Sequence, residues 1–143
     1  MLESTSQFRR GLEYLIKLAL GGRVDVLKAL RLYAAGHSAS TITRMVGLPS
    51  PTIQSFIWRV NVRIGAIHTR WFLKRVLPLV ETIQPIVDGS RCLLCGRTFG
   101  TFAALMNHIS FHHGDLVEHY VNKFFATQGG GGAERGGDGT DKR

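Results

Sequence analysis

Apolar residues recur at intervals of three and four along most of this chain, the spacing of helices with one buried face. In residues 6–20 the positions Phe8, Leu12, Leu15, Ile16 and Ala19 keep that interval, and Gly21-Gly22 closes the stretch. The pattern predicts a first helix that serves as packing support. A second helix is expected over 24–35, with Leu27, Leu30 and Tyr33 inward and Gly36 as its stop. Ser38 or Ser40 can cap a short helix that ends at Val46, and Gly47 suits a turn that needs positive φ. Ser50 is then the expected cap of a further helix, with Pro51 at its first position.

That last helix is expected to be long. Ile53, Ile57, Val60, Ile64, Ile67 and Trp71 alternate spacings of four and three, a seam through about residue 71. Gly65 weakens such a helix by roughly 1 kcal/mol without necessarily breaking it, and Pro78 should end it. Residues 78–90 hold two prolines and Asp88-Gly89 and read as a turn-rich spacer whose apolar part packs on the helices. Near the C-terminus Leu116, Val117, Tyr120, Val121, Phe124 and Phe125 form the broad apolar face of one more helix. Residues 128–143 contain seven glycines and no large apolar side chain, a composition expected to be disordered.

Charge sharpens this picture. The chain has 143 residues and a net charge of +8. No acidic residue stands between Asp25 and Glu81, an interval that holds Lys28, Arg31, Arg44, Arg59, Arg63, Arg70, Lys74 and Arg75. An uncompensated basic stretch of this kind suits an anionic partner, of which nucleic acid is the usual one. No run of eighteen apolar residues is present, so no membrane span and no membrane partner are expected. The opening MLESTSQFRR lacks the order of a secretory signal, and an intracellular location (cytoplasm, nucleoid or nucleus) is expected. The ten acidic residues show no clustered triad for metal-dependent strand chemistry, and no Ser-His-Asp set or glycine-rich phosphate loop stands out. The expectation is a non-enzyme with no small-molecule substrate.

The most specific chemistry lies in CLLCGRTFGTFAALMNHISFH, residues 92–112. Cys92 and Cys95 are separated by two residues, twelve more lead to His108, and three more to His112. A C-x2-C turn aims two thiolates at one point, and histidines four apart share a helix face, so the spacing yields a tetrahedral S2N2 ligand set for zinc. Phe99 and Leu105 supply the small apolar plug that so short a unit requires beside its metal. This stretch resembles the C2H2-type zinc finger. The resemblance implies a ββα unit with structural zinc on Cys92, Cys95, His108 and His112, with His113 as an alternative fourth ligand because the family tolerates a longer final gap. Both cysteines are then used, which suits a reducing compartment. Carried over position by position, the family's docking scheme turns Thr101, Ala104 and Asn107 toward bases, of which Asn107 is the good adenine reader, and Arg97 offers a phosphate contact.

The stretch HSASTITRMVGLPSPTIQSFIWRV, with Ile42, Val46, Leu48, Ile53 and Phe56 locking two helices across a short turn, resembles the helix-turn-helix of resolvase-like and transposase-like regulators. Thr43 departs from the alanine or glycine usual there. The resemblance implies double-stranded DNA as partner, with Ser50, Thr52, Gln54 and Ser55 early on the reading helix and Arg44 at the backbone. Arg59, Arg63, Arg70 and Lys74, off the seam and mostly to one side, are expected along phosphates.

Together these readings give a mainly α chain, a helical bundle with a helix-turn-helix plus one ββα zinc finger. The expected layout is a helical domain over 1–77, a connection over 78–90, the finger with an extra helix over 91–127, and the tail. The expected function is a DNA-binding regulator of transcription with structural zinc. Two alternatives stand beside it: a protein-interaction module built on the finger and the last helix, or the DNA-binding part of a mobile-element recombinase. A homodimer through the 53–71 seam is a further expectation, as two-fold operators would favour.

Overall fold

The computed structural model describes residues 5–127, so the glycine-rich tail expected to be disordered lies outside the described residues. The chain is mainly helical with one small antiparallel sheet. Helices α1 (Thr5–Leu20) and α2 (Val24–Ala34) are joined by the Gly21-Gly22 turn, and α3 (Ala39–Val46) and α4 (Ser50–Ile64) by three residues. Then come α5 (Thr69–Val80), strands β1 (Val87–Asp88) and β2 (Arg91–Cys92), α6 (Phe102–His112) and α7 (Gly114–Thr127).

Local chemistry accounts for most of these boundaries. The Ser38 hydroxyl accepts the Thr41 backbone N–H and caps α3, which ends at Gly47 with φ at 87°. That left-handed residue turns the chain toward α4, where Pro49 takes the cap position and Pro51 the first turn. Ser50 is therefore the first helical residue of α4 and does not cap it. Thr101 caps α6 by accepting the Ala104 N–H at 3.0 Å.

The long helix expected through residue 71 does not form. Gly65 adopts φ 95° and ψ 127°, a conformation open to glycine and costly elsewhere, and a short 3-10 turn over Ala66–His68 redirects the chain into α5. The Thr69 hydroxyl holds this corner, donating to Asn61 Oδ1 at 2.6 Å, and is fully buried. The expected seam accordingly splits. Ile53, Val60 and Ile64 are buried in the chain's own core, whereas Ile67 is 88% and Trp71 42% exposed. Pro78 lies within the last turn of α5, which runs two residues beyond it.

α1 is the hub, packing on α2, α4, α5, α6 and α7. One buried cluster runs from Phe8 to Phe124 and draws on every helix except α3, so the segment 91–127 shares its core with the segment before it. A smaller cluster of Ala29, Ile42 and Ile53, flanked by Leu48, Tyr33 and Ile57, fastens α3 to α2 and α4. The connection over 78–90 is anchored as expected: Ile83 is buried, and the Ile86 N–H donates to the Leu20 carbonyl at 2.9 Å. The face of α7 is covered by α1, with Phe8 against Phe125 at a ring separation of 5.3 Å and Arg9 paired to Glu118.

Among the glycines of the described residues, Gly11 leaves the least room for a side chain. A Cβ there would stand 2.4 Å from Ile64 Cδ1 and 2.9 Å from the tip of Phe72, both fully buried side chains that would have to shift. Gly11→Val is expected to lower unfolding free energy by about 2 kcal/mol through overpacking, read by urea denaturation. A variant as stable as the parent would show that α1 does not seat on α4 and α5 in this way.

Candidate metal centre

The candidate metal site begins with a hairpin. β1 and β2 pair Val87 with Cys92 and Asp88 with Arg91 around Gly89, whose φ of 63° suits the turn. Past β2 the chain folds back: the Cys92 N–H donates to the Arg97 carbonyl at 2.7 Å, and the Gly96 N–H donates to the Cys92 carbonyl at 2.8 Å. This loop puts Cys92 inward and buried and leaves Cys95 exposed at the rim. Leu105 and Ile109 bury one face of α6 against the common core, and His108, 6% exposed, is carried on the turn between them.

Four ligand atoms converge. Those of Cys92, Cys95, His108 and His113 all lie within 4.8 Å of one another. Cys92 Sγ is 3.4 Å from His113 Nε2, Cys95 Sγ is 3.3 Å from His108 Nε2, and the two Nε2 atoms are 3.1 Å apart. Metal bonds of zinc length at tetrahedral angles imply edges of about 3.3–3.8 Å. The two sulfur–nitrogen edges fall in that range, the nitrogen–nitrogen edge lies just below it, and the remaining edges reach no further than 4.8 Å, so two thiols and two imidazoles are gathered closely enough to suit such an ion. The group could hold a metal such as zinc.

The fourth member is His113, and this corrects the expectation of His112. In an uninterrupted helix the residue four after His108 returns to its face, which favoured His112. But α6 ends at His112, and His113 leaves the helix at φ −128°, ψ 27°, which swings its ring back onto His108. His112 is exposed, its ring 4.9 Å from that of His108 without joining the cluster. The tolerance of the final gap was the available signal; the cap conformation that uses it is invisible in the residue order.

The surroundings favour the ligating form of His108. Burial lowers its pKa, and the nearby His113, His112 and Arg97 lower it further, which keeps the imidazole neutral. The Phe99 ring lies 4.7 Å from the His108 ring and with Leu105 forms the expected plug. With Nε2 facing the cluster, an ion there would leave the ring proton on Nδ1, which is buried and has no hydrogen-bond partner.

The expected nucleic-acid contacts fall into separate places. Arg44 and Gln54 are exposed, on α3 and on the first half of α4, with Ser50 and Thr52 half-buried beside them. Ser55 accepts a hydrogen bond from Arg59 Nη1 at 3.0 Å. Arg59 lies over Phe56 and Arg63 over Tyr14, so both turn toward α1 and α6. Arg70 instead reaches α2, stacked on Tyr33 and donating to its carbonyl at 3.2 Å. The corner at Gly65 thus divides Arg59 and Arg63 from Arg70 and Lys74, which had been expected along one side. Arg97 and Lys74 are exposed, and Thr101 is engaged as a cap. Asn107 lines a groove with Arg59 and Arg63, joined by Tyr14, Lys17 and Arg23. Sequence reasoning missed those last three because they converge only after α1, α4 and α6 pack.

Comparison with protein-family models, with curated proteins and with solved structures finds no match. The functional reading therefore stands on the geometry of this chain. Among the described residues, no helix is long and apolar enough to cross a membrane.

Metal quantification after dialysis should find about one zinc per chain, with four protein ligands closing the shell. Cys92→Ser and His113→Ala should lose it, and His112→Ala should retain it. Retention by His113→Ala with loss by His112→Ala would reverse the assignment. Acid should also release the ion. The folded pKa of His108 lies below the ordinary value of about 6.5, so its contribution is present above that value and is lost as pH falls through the depressed one.

Proposed function

We propose that this protein binds double-stranded DNA through α3 and α4, acting as a helix-turn-helix, and that a structural zinc ion on Cys92, Cys95, His108 and His113 completes a finger packed against it. The observation that carries the reading is the two-sided character of α4. Ile53, Phe56 and Val60 are buried, whereas Pro51, Gln54 and Trp58 stand out from the core. An exposed helix N-terminal half, on a chain whose central interval has no acidic residue, is suited to a major groove.

Each part has a role in this reading. Gln54 is the candidate base reader, able to pair bidentately with adenine. Ser50 and Thr52 offer hydroxyls at the start of α4, and Arg44 provides a phosphate contact from α3. Arg59 and Arg63 add sequence-independent attraction from the far end of α4. The zinc is structural because four side chains fill a tetrahedral shell and leave no position for water or substrate. A regulator of transcription follows as the simplest use of such a protein, working by occupying its site.

A second reading has its own observation. Leu93, Leu94 and Phe111, beside the metal-binding residues, are 55%, 58% and 82% exposed. Apolar side chains so placed suit a protein partner and favour an interaction module that uses the finger. Light scattering and pull-downs with Phe111→Ser address it separately from DNA.

Titration of random and selected duplexes tests the leading reading. Affinity should fall steeply with salt, by about 0.9 in log–log slope for each phosphate engaged. Gln54→Ala should flatten sequence preference by about 1–3 kcal/mol at one base pair and leave non-specific affinity nearly unchanged. Arg44→Ala should weaken all duplexes alike. Absence of duplex binding at low salt would remove the reading.

A further inference from the structure

Where α1, α4 and α6 meet, a groove of about 470 Å³ opens. At roughly 30 Å³ per water it has room for more than ten, so it is an open cleft and no packing defect. Its polar lining is strongly cationic: Lys17 from α1, Arg23 from the turn before α2, and Arg59 and Arg63 from α4, with Asn107 from α6 opposite. Phe56 and Phe102 form an apolar floor, and the Arg23 guanidinium lies over both rings. Arg23 is paired with Asp25. Among the described residues no carboxylate forms an ion pair with Lys17, Arg59 or Arg63.

The second observation is Tyr14, which lines the same groove and is 8% exposed. Its hydroxyl is buried and has no hydrogen-bond partner. A buried hydroxyl left unpaired costs free energy comparable to a lost hydrogen bond, and native structures rarely leave one so. Arg63 lies 4.3 Å over the ring, and Arg59 acts on the hydroxyl oxygen by its charge and as a hydrogen-bond donor, but a guanidinium offers no acceptor for the hydroxyl's own proton. Burial raises the Tyr14 pKa against the opposing pull of Arg59, Arg63 and Arg23. The hydroxyl therefore keeps its proton at neutral pH and remains a donor. Arg63 is itself crowded: burial lowers its pKa, and the charges of Arg10 and Arg59 add to that, with Tyr14 opposing.

We propose that this groove binds a phosphate group, with Tyr14 Oη donating to one oxygen and Lys17, Arg59 and Arg63 supplying the charge. A phosphate dianion or diester answers both deficits at once, since it brings acceptors to an orphaned donor and negative charge to crowded cations. Arg59 and Arg63 are held at their tips by ring stacking and by one hydrogen bond each, to Ser55 and to the Arg59 carbonyl. Binding requires those tips to move onto the anion and open the hydroxyl to it. The phosphate can come from a DNA backbone, in which case the proposal rests on the DNA-binding reading, or from a free phosphoryl anion. Either source gives α1 a site and makes α6 one of its walls.

Tyr14→Phe is the discriminating variant, because it keeps the ring beneath Arg63 and removes only the orphaned hydroxyl. Without ligand, the zinc-loaded full-length variant should melt no lower than the parent. Its affinity should then drop about ten-fold, as expected for a lost hydrogen bond to a charged group, and Lys17→Gln should do the same. Two arms are measured: fluorescence anisotropy with a labelled duplex, and the shift in melting temperature with pyrophosphate. Losses in the duplex arm alone, or in both arms, establish the groove as a backbone contact. Losses in the pyrophosphate arm, with no duplex binding by the parent, keep the groove as a free-anion site and overturn the DNA reading. Unchanged duplex affinity in both variants, with no pyrophosphate shift that depends on Tyr14 and Lys17, overturns the groove and leaves the DNA reading standing. If the parent responds in neither arm, both fall.

Discussion

The convergence of two thiols and two imidazoles on one point is the constraint from which the C-terminal half takes its shape. Nε2 atoms 3.1 Å apart, with sulfur atoms 3.3 and 3.4 Å from them, gain little from one another as neutral groups. A divalent ion bound there would turn this cluster into a fastening of the hairpin to α6. The consequence would reach beyond the hairpin, because α6 also delivers Leu105 and Ile109 to the common core and α7 adds Val117, Val121 and Phe124. Small metal-bound units usually depend on their ion because they bury too little surface to fold without it. Here the unit has a second support, since β1 begins just after a backbone hydrogen bond from Ile86 to Leu20 of α1.

The other half is organised by α1. Gly11 allows it to lie close against Ile64 and Phe72, and that closeness lets one helix touch five others. α3 is the exception, as the main core does not include it. It is fastened through Ala29, Ile42 and Ile53 and held in place by its serine cap and by Gly47. This element bears exposed Arg44 and precedes the exposed start of α4, and Tyr33, Leu48 and Ile57 link its small cluster to the main core.

What could be read in the sequence was what is local. Ser38 and Gly47 act within a few residues of themselves, and the C-x2-C turn and the Phe99–Leu105 plug depend on spacing alone, whereas Thr101, expected toward bases, caps α6. Gly65 was harder: its roughly 1 kcal/mol of helix cost did not outweigh a continuous seam, yet the buried Thr69–Asn61 bond and the path into α5 settle the corner by tertiary means. His112 had the better helical phase, and the end of the helix gave the position to His113. The groove was illegible, because Tyr14 has the spacing of a core residue and its neighbours Lys17, Arg59 and Asn107 come from three helices. No pattern within one segment marks a site assembled by packing.

X-ray absorption at the zinc edge of the zinc-loaded protein interrogates the fastening itself. The expected spectrum has two sulfur neighbours near 2.3 Å and two imidazole nitrogens at about 2.0–2.1 Å, in four-coordinate geometry. A shell of light atoms only, or one with five or six neighbours including water, would contradict the closed quartet and the fold that hangs from it.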